Sequence, residues 1–318
     1  MSNNFNQMQL VSIIIVTYNS SKFIVDALES AKKQTYQNIE LIISDDFSKD
    51  NTLAICENWI ANNAERFVNV DLITTDKNSG ISANCNRGAK KAQGEWFKII
   101  GGDDLLAENA IELVVDFASK KNNIKLITGR YQTFTCINNQ FNIDTMQRPG
   151  DKKIQFFNEP PEKQLQWLLT ATDLGISPGT FARTEVLYKY GFFNEDFPFL
   201  EDLPFFVNLS KNGVQFHLLN KTVTYYRKEH GSVLKSSTQY FNLKYKESLF
   251  NFKKSIAYKI VPKTNVLYYQ NELVEYLHYQ IMTIIFRNKK NRLTFIVGKI
   301  IQLFSVKLVV SKIKKFHF

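Results

Sequence analysis

Three short polar stretches follow apolar runs in the first third of the chain: Thr17-Tyr18-Asn19-Ser20 after 10–16, Asp45-Asp46-Phe47-Ser48 after 39–44, and Gly101-Gly102-Asp103-Asp104 after 96–100. The last of these carries the most chemistry. Two adjacent carboxylates on a glycine-softened loop make a hard oxygen site of the kind Mg²⁺ or Mn²⁺ accepts while keeping waters and substrate phosphates as its other ligands. The glycines either let a substrate approach the backbone closely or serve the turn alone. Asp46 offers a carboxylate able to accept from the imide N–H of a uracil ring, and Tyr18 a stacking face, although neither role is specific by itself. Asp and Asn are also common turn residues. A further acid pair, Glu201-Asp202, stands directly before an apolar helical pattern with Pro204 in its first turn, a place where the helix dipole alone favours acids. No G-x-G-x-x-G follows a strand and no G-x-x-x-x-G-K-[ST] occurs, so dinucleotide-binding and P-loop readings lose their main support.

The elements that must position these loops are readable from periodicity. The β-branched run 10–16 has the pattern of a strand buried on both faces, as in a parallel sheet. Helical spacing follows over 22–34, with Ser20 or Ser21 as the expected N-cap. The cycle repeats as strand 39–44, helix 52–62, strand 70–74, helix 82–93 and strand 96–100, with another helix expected from about Ala107. Alternation at this spacing predicts an α/β domain with a mostly parallel central sheet flanked by helices, whose ligand crevice lies outside the carboxyl ends of the strands. Beyond it the spacing predicts a strand at 125–128, helices at 162–172 and 184–190, strands at 214–218 and 222–227, and a helical C-terminal extension. Domain boundaries are expected at 1–235 for the catalytic part, divided into a nucleotide half (10–130) and an acceptor half (131–235), and at 236–318 for the extension.

The chain has 318 residues, 44% hydrophobic and 22% charged, which excludes a disordered chain, a bare recognition module and a small disulfide scaffold. Cys56, Cys85 and Cys136 are odd in number and far apart, which argues against a disulfide framework or a zinc cluster. The polar, Asn-rich stretch 1–9 does not read as a secretory signal, so a cytoplasmic location is expected. The net charge of +10 points to a polyanionic partner, and its position decides which one. No acid follows Glu275, whereas Arg287, Lys289, Lys290, Arg292, Lys299, Lys307, Lys312, Lys314 and Lys315 carry nearly the whole surplus. The stretch 293–310 approaches the length of a bilayer span, but Lys299 and Lys307 lie inside it, each costing roughly 2.5–3.5 kcal/mol near the bilayer centre. Arg292, Lys299, Lys307 and Lys314 form a narrow basic stripe beside a broad apolar face. Such a helix lies in an anionic membrane interface, peripheral on the inner face of the cytoplasmic membrane, or packs on protein. Nucleic acid is not the expected partner, and no feature marks an oligomeric state.

The sequence VSIIIVTYNSSKFIVDALESAKKQTYQNIELIISDDFSKDNT, continued by Asn78-Ser79-Gly80-Ile81-Ser82, Asn86-Arg87-Gly88, Ala92-Gln93-Gly94-Glu95 and the Asp103-Asp104 pair, resembles the family 2 glycosyltransferases of bacterial surface-polysaccharide type over residues 11–232. The resemblance implies the GT-A fold of nucleotide-diphospho-sugar transferases. It matches Tyr18 and Asp46 to positions that contact the base of a nucleotide sugar, with Val16 and Thr17 flanking them. Asp103 matches the first acid of the DXD-type motif and Asp104 the last, the metal ligand. Glu201-Asp202 is similar to the family's ED motif, whose Asp is the catalytic base. Tyr226-Arg227 with His230 and Ser232 is similar to a late loop that closes over the diphosphate. One departure is Asn84-Cys85-Asn86 where many members have Ala-Arg-Asn, leaving Lys77 and Arg87 as nearby cations to replace the missing arginine. The implied activity is inverting, metal-dependent transfer of one sugar from a nucleotide sugar, a UDP-sugar first, to a hydroxyl of a glycan or lipid-linked acceptor in O-antigen or capsule synthesis. The Gln-x-x-Arg-Trp motif of processive members is absent. The residues alone leave a nucleotidyltransferase and a noncatalytic sugar-nucleotide-binding protein as alternatives.

Overall fold

A run with no exposed residue, VSIIIVT, makes β1 (Val11–Thr17), and an equally buried one, IELIISD, makes β2 (Ile39–Asp45). The structure is a computed structural model that describes residues 9–121, 123–138, 140–171, 174–228 and 238–305. Helices α1 (Ile24–Lys32), α2 (Thr52–Asn63) and α3 (Ile81–Ala89) connect β1, β2, β3 (Asn69–Ile73) and β4 (Trp96–Gly101). These four strands are parallel in the order β3-β2-β1-β4. The chain steps outward from β1 to β3, then returns to place β4 on the other side of β1, and the reversal opens a crevice at the carboxyl ends of β1 and β4. Register levels those ends, since Thr17 lies opposite Asp45 and Val16 opposite Gly101. Inside this apolar sheet Glu40 Oε1 accepts from Ser12 Oγ at 2.5 Å and from the backbone N–H groups of Gln93 at 2.6 Å and Gly94 at 2.9 Å.

The rest of the first compact unit, which ends at Lys228, adds β5 (Leu105–Leu106), α4 (Ala110–Ser119), β6 (Leu126–Ile137), β7 (Gln140–Ile143), α5 (Gln155–Asn158), α6 (Pro161–Thr170), β8 (Thr180–Arg183), α7 (Glu185–Tyr190), α8 (Asp202–Lys211) and β9 (Phe216–Arg227). The sheet continues β4-β8-β6-β9-β5, with β8 antiparallel to both neighbours and β9 parallel to β6. The family 2 expectation of a mixed α/β fold with a mostly parallel sheet is met. Three details differ from the periodicity. The expected strands 214–218 and 222–227 are one strand, because Asn220 and Lys221 form a bulge where the β6 register jumps from Gly129↔Leu219 to Arg130↔Thr222. The helix expected from Ala107 begins at Ala110, because Leu105 and Leu106 first pair with β9. Neither Ser20 nor Ser21 caps α1 through its side chain. The Ser20 carbonyl accepts from the N–H groups of Phe23 and Ile24 instead.

The second unit is helical: α9 (Leu243–Phe252) passes through a π turn into α10 (Tyr258–Ile260), and α11 (Val266–Gln280) through another (Ile281–Ile285) toward α12 (Arg292–Leu303). Asn291 starts α12 with a capping box, its side chain accepting from the Thr294 N–H. No helix among the described residues is long and apolar enough to cross a membrane.

Close approach in the first unit is sharpest where Gly179 crosses β6: a Cβ there would lie 2.0 Å from the Gly129 carbonyl oxygen. Backbone cannot yield as a side-chain tip can. Gly179→Ala should therefore lower stability by about 2–3 kcal/mol, seen as a lower urea midpoint at unchanged m-value.

Candidate active site

The β1 and β2 ends are knitted together by backbone. Thr17 O accepts from the Asp46 N–H at 2.9 Å and from Asn84 Nδ2 at 3.2 Å, and Val16 O accepts from the Gly102 N–H at 2.9 Å. Val16 and Thr17 are themselves buried, so they act on the site through these carbonyls, while Tyr18 is 46% exposed and presents an open ring. Asp46 is enclosed by donors. Its carboxylate is only 3% exposed and receives the Ser79 N–H at 3.0 Å, the Gly80 N–H at 2.9 Å and the Arg87 guanidinium at 2.5 Å. It anchors the 77–80 loop, which Gly80 turns at φ +88° against the Pro198 carbonyl.

The departure at Asn84-Cys85-Asn86 now has a physical account. Asn84 bonds Ser44 Oγ at 2.7 Å and Arg87 Nη2 at 3.1 Å, so it steers Arg87 onto Asp46. Cys85 is buried, and its thiol is pushed up by burial first and then by the charges of Glu201 and Asp202. No cation occupies that position in α3. Beside Asp46 a cavity of about 530 Å³ opens between Lys77, Ser79, Arg87, Lys90 and Glu195.

On the other side of β1, Asp103 and Asp104 are held by β9. The Arg227 N–H donates to Asp104 Oδ1 at 2.9 Å, its Nε donates to the Asp103 carbonyl at 2.7 Å, and its Nη2 reaches Asp26 on α1 at 2.7 Å. The guanidinium also lies 4.5 Å from the Phe134 ring centre and 4.8 Å from that of Phe23. Arg227 is 3% exposed. It is the last residue of β9, as the strand expected at 222–227 had it, and it clamps the acid loop. His230 and Ser232 lie outside the described residues.

Asp104 is buried, whereas Asp103 is half-buried. Burial first and Asp103 second push the Asp104 carboxyl well above its usual range, opposed by the Arg227 N–H, Lys98 and the Arg227 charge. Two acids so placed favour a cation, and their oxygens suit a hard divalent one. Among the described residues no group of three or more side chains that could hold a metal ion is present. A metal here would therefore complete its shell with water and substrate oxygens, which fits Mg²⁺ or Mn²⁺ and not a closed structural site.

Behind this loop lies Lys98, which periodicity had passed over. It is 1% exposed, donates from Nζ to the Pro178 carbonyl at 2.5 Å, and sits 5.1 Å from the Phe181 ring centre. Burial draws its ammonium down to about 7, and the Asp104 charge draws it back up. A lysine within WFKII, an otherwise apolar strand, was the signal in the sequence.

Glu201 and Asp202 open α8, where Asp202 Oδ1 accepts from the Leu203 N–H at 2.6 Å. Burial and then the neighbouring Asp202 raise the Glu201 carboxyl to about 8. The Tyr226 hydroxyl is raised by burial first, then by the charges of Asp104 and Asp103, then by Tyr131 and Glu201. His278, by contrast, is packed inside the second unit against Tyr240 Oη at 3.2 Å, as a structural residue.

An open α/β sheet with acid loops at its switch point defines a nucleotide-sugar transferase architecture, and comparison with known proteins names the family. Residues 12–191, more than half of the chain, match Glycosyl transferase family 2, and the chain belongs to that family. WfaP of Escherichia coli, a UDP-Glc:alpha-D-GlcNAc-diphosphoundecaprenol beta-1,3-glucosyltransferase, is 29% identical over 71% of this chain and 80% of its own length. Glycosyltransferase GlyG of Streptococcus pneumoniae serotype 4 is 32% identical over 40% of this chain, which spans only 40% of that protein. Among solved structures, residues 1–349 of S. aureus TarS in complex with UDP-GlcNAc align with a TM-score of 0.56 at 21% identity, over 86% of this chain and 72% of that one. The chain spans 43% of the longer TarS structure.

Raised pKa values have a stability consequence. Between its ordinary value of 4.5 and about 8, Glu201 keeps its proton in the folded chain and loses it in the unfolded one, so raising pH through this window favours unfolding. In chelator, stability should fall from pH 5 to pH 8 by less than about 1.4 kcal/mol per pH unit for this group. Urea titrations of Glu201→Gln should show a shallower fall, the remainder coming from Asp104; an unchanged slope contradicts the assignment.

Proposed function

We propose that this family 2 chain is an inverting, metal-dependent glycosyltransferase that moves one sugar from a nucleotide-diphosphate sugar to a hydroxyl of a glycan or lipid-linked acceptor. The observation that carries the reading is the Asp103-Asp104 pair held at the carboxyl end of β4 by Arg227 of β9, at the switch point of the sheet. In this reading that pair serves the leaving diphosphate, and Glu201-Asp202 at the start of α8 serves the attacking hydroxyl. A UDP-sugar donor and a diphosphate-lipid acceptor are supported by the name of WfaP, which covers most of its own length in the alignment. Such acceptors support a role in O-antigen or capsule synthesis, with the enzyme peripheral on the inner face of the cytoplasmic membrane. Family membership argues against the nucleotidyltransferase alternative, and a second acid pair at the start of α8 exceeds what a noncatalytic sugar-nucleotide binder needs.

Asp202 accepts the proton of the acceptor hydroxyl as its oxygen attacks the anomeric carbon, while the nucleoside diphosphate leaves from the opposite face. One displacement inverts the configuration. Glu201, with its carboxyl raised to about 8, keeps its proton at neutral pH and leaves the base role to Asp202. Tyr18 offers its exposed ring to the base of the donor, and Val16, Thr17 and Asp46 hold the loops around it. Asp103, the more exposed acid, and Asp104 behind it would hold Mg²⁺ or Mn²⁺, which when bound neutralises charge on the diphosphate. Arg227 keeps both acids facing the crevice. Holding donor, acceptor and base in register contributes on the order of 7–11 kcal/mol.

Sugar-nucleotide turnover across UDP-, GDP- and TDP-sugars tests the reading. Asp202→Asn should lower kcat by about 10²–10⁴-fold while donor Kd stays near wild type; weakened donor binding at normal turnover contradicts the base assignment. Asp103→Ala should abolish stimulation by Mg²⁺ or Mn²⁺, and wild-type turnover that survives chelator removes the metal from the mechanism.

A further inference from the structure

Helices of a folded unit normally turn apolar residues inward, whereas α11 and α12 present rows of large apolar residues outward. Every exposed residue of α11 is Val, Leu or Tyr, and its stripe Val266, Leu273 and Leu277 continues into Ile284 of the following π turn. Its acids face inward: Glu272 pairs with Lys253 at 2.7 Å and Glu275 with Lys246 at 3.3 Å, both lysines lying in the α9 segment. In α12 the buried positions are Thr294 and Gly298, with Ser305 just beyond the helix, whereas Leu293, Ile296, Ile300 and Leu303 are exposed at helical spacing. The seam between the two helices is made of small and polar groups. Gly298 leaves no room for a Cβ against Tyr240 Oη, and Ser305 Oγ donates to Asn271 Oδ1 at 2.5 Å. The large apolar side chains on these two stripes are 46–71% exposed. This layer is held together by its polar side and shows its oily side to the surroundings.

We propose that α11 and α12 together form a platform that lies in the plane of an anionic lipid surface. Charge selects the occupant. Arg287, Lys289, Lys290, Arg292 and Lys299 are all exposed in and around the turn between the helices and along α12, and no acid follows Glu275 to oppose them. Apolar stripes bordered by cations match the acyl boundary and headgroups of an anionic bilayer, and the Lys299 stem can lie along the apolar face with its ammonium among phosphates. A second copy of the chain would instead bring two identical basic segments toward each other. The sequence pattern pointed to the basic tail alone, whereas the platform gives α11, which carries no such stripe, an equal share of the contact. It serves a transferase with a lipid-linked acceptor, the reading on which it rests; vesicle binding and sugar transfer to a soluble acceptor are separate measurements, so the two ideas fail separately.

Co-sedimentation of the full chain with vesicles of phosphatidylcholine, with and without phosphatidylglycerol, tests the platform. The wild type is expected to bind the anionic vesicles, and added salt to weaken that binding. Leu273→Glu with Leu277→Glu on α11, and separately Ile296→Glu with Ile300→Glu on α12, should each lower partitioning at least about tenfold with unchanged circular dichroism. Lys289→Glu with Lys290→Glu should lower it on the anionic vesicles only. Wild-type binding by the α11 pair would overturn the platform in favour of the tail alone. Absence of vesicle binding, with a dimer in sedimentation equilibrium that the α12 pair dissociates, would overturn it in favour of a second copy.

Discussion

A carboxylate buried beside a second carboxylate is an unfavourable arrangement, and the surroundings of Asp104 are organised around it. The fold brings three compensations from two residues: the N–H and the guanidinium of Arg227 on β9, the latter oriented by Asp26 of α1, and the ammonium of Lys98 within β4. Lys98 is in turn held by the Pro178 carbonyl ahead of β8. The two halves of the sheet are thus tied at the acid loop by charge as well as by strand pairing. A divalent cation bound there would find a site whose electrostatic cost is already met by fixed groups, which is the preorganisation that charge-stabilising sites require.

The same logic operates at two other places with different outcomes. Asp46 is buried too, but two N–H groups and Arg87 satisfy it, so it becomes a rigid strut for the 77–80 loop. Glu201 has no such partners beyond its own backbone, and its carboxyl is raised to about 8. Three acids at the ends of strands and helices therefore take three roles according to the donors around them, although their local sequences, each an acid pair, look alike.

That likeness explains what could be read in advance. The parallel half of the sheet was readable because runs such as VSIIIVT and IELIISD exclude polar residues except where a strand ends, so loops, order and crevice follow from the pattern. The acid pairs were found for the same reason. The state of each acid was not, because the partner of Asp104 lies 123 residues away on β9 and that of Asp46 41 residues away on α3. The pattern ended a strand at Arg227, as observed, but its grip on the acid loop could not be read, because the residues it holds belong to the end of another strand. Amphipathicity of α12 was plain, yet periodicity gives a stripe without a direction. Only the small seam residues Gly298 and Thr294, packed inward, show which side is out.

The two-residue strand β5 also sets an order of assembly. Among the described residues, Leu105 and Leu106 pair in the sheet with Tyr225 and Thr224 alone, so during synthesis the acid loop waits for more than a hundred further residues before its clamp exists. Contacts of such separation form late and slowly. The β1–β4 core can settle beforehand, because its strands are near neighbours in sequence. A chain stopped where the family match ends, at 191, would carry that core with Asp103 and Asp104 lacking their fastening. The growing protein therefore acquires its crevice first and its capacity to tolerate paired negative charge last.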